Sequence, residues 1–324
     1  MRVRCLLFCL AIVAAPAAAE DAKLRLAHPV PVGSGMHKWA EKFATNVEAL
    51  SGGTIKAEVI GGGVLGGPPE MLAQGRTGAL DLWLLDPVGM MLVREARPFA
   101  VMFAPFLFRD QEHYHKFLAS DLFAPMLADA ESKIGVKFIG ILGDRAPRAL
   151  ATRNRAVKSP ADLKGLKVRV PQLPFVAAAW RAWGAAPTPL TGSDLYQAMQ
   201  SGLVDGDDNG IDIVNERGLG EVAKYFTALN YVHSSIGVFM SGQLWAKYDA
   251  KQRAWFVEAA AMVRREQPPY ARMLEDEYAR AKAKGVAIVE PDLAEFRAAA
   301  AKVIEEFDGK MWPAGLYKKI QDIR

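Results

Sequence analysis

Arg169 stands near the end of Leu166 to Val170, a segment that reads as a short strand. A guanidinium there could present a planar fork of N–H donors to the two oxygens of a carboxylate and stay charged at any relevant pH. By itself such a residue reads as a structural or edge arginine of a strand, so the chemistry is available without being assigned. Other reactive patterns are sparse. No G-x-S-x-G elbow, P-loop lysine or H-E-x-x-H occurs, and the five histidines do not cluster at zinc-ligand spacing. His113 and His115 are two residues apart and would diverge on a helix. Gly61, Gly63 and Gly66 do fit G-x-G-x-x-G, with Asp81 in range as an acidic ribose partner, which is the pattern of a dinucleotide-dependent oxidoreductase. Against it, Gly67-Pro68-Pro69 delays the helix past the third glycine, which that motif needs inside the helix. A secreted hydrolase whose groups converge from distant positions is the other enzymatic alternative. The residue patterns themselves call for no catalytic group, metal or cofactor.

Arg2 and Arg4, the apolar stretch Cys5 to Ala15 and the triplet Ala17-Ala18-Ala19 read as a secretory signal peptide over residues 1–19. The apolar part is short of a membrane span, so release into the periplasm is expected rather than direct membrane insertion. Both cysteines lie within this segment, which leaves the mature chain without a thiol for disulfide, zinc or nucleophilic chemistry. Acids and bases are mixed along the chain and the formal net charge is +4, with no footprint for nucleic acid.

About 300 mature residues exceed one core, and the elements divide into two α/β sets. Leu24 to Ala27 reads as a strand. Met36, Trp39, Ala40, Phe43, Val47 and Leu50 recur at helical spacing until Ser51-Gly52-Gly53, and Thr54 to Ile60 alternates as a half-buried strand. Pro68-Pro69 suit a helix's first turn. Leu80 to Leu85 and Val136 to Leu142 are apolar runs of the kind buried on both faces in parallel sheets. Past Arg148, Ser159 to Asp162 reads as a capped turn before strand Leu166–Val170, with helices at Phe175–Trp183 and Ser193–Ser201. Thr191 and Asp194 have capping-box spacing. Pro268-Pro269 interrupt the helical pattern Lys251–Lys284, predicting a long bent element.

Three blocks in one order carry a family resemblance: Ser159-Pro160-Ala161-Asp162-Leu163-Lys164-Gly165-Leu166-Lys167-Val168-Arg169-Val170-Pro171, then Gly184 to Leu190, then Asp194 to Gly206. Together they resemble the extracytoplasmic solute-binding proteins of TRAP transporters, the DctP family. Weaker similarity covers nearly all of the mature chain. The resemblance implies a two-lobe, type II periplasmic-binding-protein-like α/β fold with a hinge and a bent helix spanning both lobes. The expected lobes are residues 20–147 with about 235–273, and 148–234 with about 274–324. It implies a binding protein rather than an enzyme, with a small organic carboxylate and the TRAP membrane subunits as partners. By the same resemblance, Arg169 pairs with the ligand carboxylate, Asn209 hydrogen-bonds that group, and Arg148 is a second arginine. Asp86, in the loop after Leu80–Leu85, and His28, in a Pro/Gly loop with His37, are further cleft candidates. Trp183 and Phe175 are considered as pocket walls. Sialic-acid binders of the family carry a bulky aromatic in the 189–193 turn, where Thr191-Gly192 stand here. That ligand is therefore not carried over. Trp83, Trp183, Phe239 and Met240 leave an aromatic or partly apolar acid open beside a C4-dicarboxylate or sugar acid.

Overall fold

A computed structural model describes residues 22–324, and the expected signal peptide lies outside the described residues. The first half of the chain alternates strand and helix: β1 Ala22–Ala27, α1 Gly35–Leu50, β2 Ile55–Ile60, α2 Pro68–Thr77 and β3 Leu82–Leu85. Two 3-10 segments follow, Pro87–Leu92 and Arg94–Phe103, then α3 Gln111–Leu118, α4 Phe123–Ile134 and β4 Val136–Asp144. The second set comprises β5 Arg148–Thr152, β6 Lys167–Val170, α5 Pro174–Ala182, β7 Ala186–Pro189, α6 Leu195–Ser201, β8 Gly206–Asn209, α7 Ile211–Glu216 and β9 Tyr225–Val232. After β10 Ser235–Ser241 come α8 Gly242–Lys247, α9 Ala250–Arg265, α10 Tyr270–Ala283, β11 Ala287–Val289, α11 Leu293–Phe307 and α12 Leu316–Gln321. No helix among the described residues is long and apolar enough to cross a membrane.

Two sheets result, ordered β2-β1-β3-β10-β4 and β11-β9-β5-β8-β6-β7. Besides the return from β10 to β11 through α8–α10, the chain passes between them where β4 gives way to β5 and where β9 gives way to β10. The backbone N–H of Arg145 donates to the Ser234 carbonyl at 3.1 Å, tying these two crossings together as a hinge.

Helix α1 follows from its pattern. The Ser34 hydroxyl accepts the His37 N–H, satisfying an orphan donor of the first turn, and Met36, Ala40, Phe43 and Val47 are buried. Strand β3 is buried throughout, as its apolar run predicts, and Trp83 packs so closely on α2 that a Cβ on Gly75 would lie 2.2 Å from the indole. Other expectations need correction. Strand β4 is an edge strand antiparallel to β10, with Lys137, Phe138, Gly140 and Ile141 only partly buried, so its apolar run does not mark a strand covered on both faces. The Thr191–Asp194 capping box does not form. The Thr191 hydroxyl bonds the Asp194 carboxylate at 2.7 Å instead, and Asp194 stands at the start of α6 without capping it.

The Lys251–Lys284 run is two helices, since Pro268 and Pro269 remove two consecutive N–H donors and disfavour helical φ/ψ at the residue before them. The break divides labour. Helix α9 packs on α1 and β4 of the first lobe, and α10 on α7 and β11 of the second.

Candidate functional site

Strands β2, β1 and β3 run parallel, as do β8, β6 and β7, so each lobe presents the carboxyl ends of a parallel set. Loops beyond such ends are where open α/β sheets accept ligands. His28 follows β1, Asp86 follows β3, Arg169 is the third of four residues in β6, and Asn209 closes β8. The two edges touch. The N–H of Gly35 opens α1 and donates to Glu216 Oε1 at 2.8 Å, while Arg217 Nη2 donates to the Pro29 carbonyl at 3.4 Å.

Alternation along β8 sends Asp207 and Asn209 to one face and Asp208 to the other. On the first face, Arg169 Nε and Nη2 donate to the Leu190 carbonyl at 3.0 and 2.8 Å, and Nη1 reaches Asp207 Oδ1 at 3.4 Å. That last contact is long for a charge-assisted bond, which typically closes to about 2.7–2.9 Å. Asp207 is fully buried, and burial pushes its carboxyl above the usual range against the opposing charge of Arg169. The side edge of the guanidinium is thus anchored to backbone, while its Nη1–Nη2 edge keeps donors for an anion. Asn209 Nδ2 lies 3.1 and 3.3 Å from the two Asp207 oxygens, which brings the two expected ligand residues onto one buried acid.

On the opposite face, Arg148 Nε and Nη2 each lie 3.1 Å from an Asp208 carboxylate oxygen, and Nη2 also bonds the Asp208 carbonyl. Tyr231 donates to the same carboxylate at 2.7 Å, and the guanidinium lies 5.0 Å from the centre of the Phe103 ring. Burial, the largest single influence, would lower the Arg148 pKa, but the charge and hydrogen bonds of Asp208, with Tyr231 and Asp207, together hold the group above its ordinary value. Arg148, expected as a second ligand arginine, is thus bound here to an internal acid, Asp208.

Asp86 is half-buried and accepts the Val88 N–H at 3.0 Å. Burial raises its pKa, with Ser234, Arg145 and Arg148 opposing, so it faces the hinge and the Arg148 side of the seam. His28 has no exposed surface. Its Nε2 is 2.8 Å from His37 Nδ1, and a Cβ on Gly61 would come within 2.7 Å of the ring, so it braces the loop after β1 rather than opening to a ligand. Trp183 is buried in the core. It is 1% exposed, its indole N–H donates to the Phe296 carbonyl at 2.9 Å, and Trp180, Tyr231 and Phe106 surround it. Phe175, Trp83, Phe239 and Met240 are core too, which removes the side chains that favoured an aromatic ligand.

The Gly61–Gly67 loop does not form a pyrophosphate cradle. Pro68 and Pro69 take two N–H groups from the start of α2, the Glu70 carboxylate folds back onto the Gly67 N–H at 2.9 Å, and Asp81 is bonded to the Arg25 N–H. A depression of about 340 Å³ between Phe106, Arg297 and Tyr317 is lined by none of the site residues.

Two seam residues escaped the sequence reading. They are Glu216 and Arg217, at the end of α7. Burial pushes the Glu216 carboxyl up to about 7 from 4.5, with Asp212 adding to the rise and the Gly35 N–H and Arg145 opposing it. Between those values the native chain keeps a proton that the unfolded chain has released, so stability falls as pH rises through the window. Glu216→Gln removes the titration. The variant is expected to gain on the wild type by on the order of 1–3 kcal/mol between about pH 5 and pH 8. Urea midpoints of both proteins at the two pH values measure this, and an identical difference at both would refute it. The differential is needed because His28 and His233, each lowered by burial to about 4, lose native stability as pH falls below their unfolded value of 6.5.

The profile described as "Bacterial extracellular solute-binding protein, family 7" matches residues 26–310. A solute-binding protein of Roseobacter denitrificans is 29% identical over 298 residues, covering 91% of this chain and 90% of the relative. A crystal structure of a TRAP periplasmic solute-binding protein from the same organism, with bound L-galactonate, has a TM-score of 0.82 at 27% identity over 90% of this chain and 97% of that one. The corresponding structure from a Bordetella species, with density read as pantoate, has a TM-score of 0.84 at 28% identity over 94% and 99% of the two chains. Two sheets joined at a hinge, their carboxyl edges facing across a seam, are thus the two-lobe architecture of those structures, and the chain belongs to the DctP family of TRAP-transporter extracytoplasmic solute-binding proteins.

Proposed function

We propose that the chain works in the periplasm, captures a small organic carboxylate between its lobes and hands it to the membrane subunits of a TRAP transporter. The observation that carries this is Arg169. It is buried at the carboxyl end of β6, fixed to the Leu190 carbonyl along one edge, and only loosely matched to an Asp207 whose own ionisation burial opposes. A guanidinium held in this way is preorganised for an anion and needs little reordering to bind one. Closure would be stabilised by contacts formed only when the lobes meet, such as Gly35 with Glu216 and Arg217 with Pro29.

The ligand class favoured is an aliphatic hydroxy acid or sugar acid. Relatives with L-galactonate and with density read as pantoate support it, as does the burial of the aromatic side chains that an aromatic acid would need. Thermal-shift measurements with L-galactonate, pantoate, succinate and benzoate test the reading. Stabilisation by one of the hydroxy acids, with compaction seen by small-angle scattering, is expected. A flat response across the panel would defeat it.

A further inference from the structure

Arg217 follows α7 at the seam and is half-buried. Its one hydrogen bond among the described residues is to the Pro29 carbonyl of the facing lobe, at 3.4 Å, and no acid of those residues pairs with it. Burial first, then the like charges of Arg169 and Arg145, hold its pKa below the ordinary value against the opposing charges of Asp207 and Glu216. Two cations that repel each other in a desolvated seam, one without a carboxylate partner, are an incomplete arrangement.

The Thr191-Gly192 turn shows where the missing partner fits. A Cβ on Gly192 would lie 3.2 Å from Arg217 Nη2 and 4.0 Å from Arg169 Nη2, so both guanidinium tips approach one point that glycine leaves free of side chain. One carboxylate can accept from both, an oxygen toward each.

We propose that Arg217 joins Arg169 in clasping the ligand's carboxylate above Gly192, as a second, specificity-determining cation that also touches the opposite lobe through Pro29. The inference rests on the carboxylate-binding reading above. It predicts strong discrimination against uncharged sugars and lactones, because a neutral ligand leaves both desolvated guanidinium groups uncompensated. It also gives Gly192 a role, since any larger side chain there intrudes between the two tips.

Titration calorimetry of the full mature chain with L-galactonate and pantoate, each beside its neutral lactone, tests the clasp. Arg217→Gln is expected to weaken acid binding by about 10- to 100-fold and to narrow the acid-over-lactone preference, with the ligand-free melting temperature nearly unchanged. Arg217→Lys should recover part of the affinity. Gly192→Leu, which keeps both charges but wedges them apart, should lose it. Acid binding by Arg217→Gln within about threefold of wild type would overturn the clasp while leaving the carboxylate reading standing. A comparable loss for acid and lactone, with a lowered melting temperature, would instead mark Arg217 as structural and also overturn it. Failure of the wild type to bind either acid would remove the parent reading for this ligand class, and the clasp with it.

Discussion

Arg169→Ala should abolish ligand-induced thermal stabilisation and weaken carboxylate binding by at least about 30-fold, since truncating one partner of a buried, hydrogen-bonded charge pair costs roughly 2–5 kcal/mol. The ligand-free fold should survive. Asp207, already biased toward its neutral form by burial, can take up a proton when the guanidinium leaves, so no stranded charge remains beneath the cleft. The Leu190 carbonyl loses two donors, which lowers the ligand-free melting temperature modestly. Arg169→Lys should rescue little, because an ammonium cannot hold Leu190 along one edge and offer paired donors along another. Calorimetric affinities together with ligand-free melting curves decide the matter. Wild-type affinity in Arg169→Ala would sink the assignment, and so would collapse of the ligand-free fold in both substitutions.

What the amino-acid sequence makes legible is mostly local. Helix α1 was legible because one apolar stripe faces one core and Ser34 stands at its start. The Pro268-Pro269 interruption was legible as an event but not as a clean break, since a proline pair inside a helical pattern fits either a kink or two helices until packing decides. For α9 and α10 the two lobes decide it, each helix following its own partners. Strand β4 misled because an apolar run does not reveal its neighbour, and the antiparallel partner β10 arrives about a hundred residues later. At the site, Arg169 and Asn209 were placed by motif, and the register of β6 with β8 brings them onto Asp207. For Arg148 and Trp183 the sequence does not show which partner a polar group finds, Asp208 for one and the Phe296 carbonyl for the other. Glu216 and Arg217 left no periodic signal. They matter through proximity to Gly35, Pro29 and Gly192, positions far away in the chain.

The buried pair on the far face of β8 carries the second large effect. Asp208 has no exposed surface and is bonded to Arg148 and Tyr231 alone of the groups described around it, so removing the guanidinium leaves a carboxylate in a dry site with one phenol to solvate it. Arg148→Leu is expected to cost about 3–5 kcal/mol, the range for orphaning one member of a buried ion pair. Tyr231 relieves little, because its own pKa is already driven up by burial and by the same carboxylate. The double variant Arg148→Leu with Asp208→Leu removes both desolvation penalties and should be markedly more stable than Arg148→Leu, a coupling that a simple loss of packing would not produce. Urea unfolding of the two single variants and the double variant measures that coupling, and carboxylate titration of Arg148→Leu at low temperature separates the structural role from the ligand role. A variant as stable as wild type but unable to bind acid would return Arg148 to the ligand set. Lost stability with retained affinity is the outcome expected of a guanidinium already committed to Asp208.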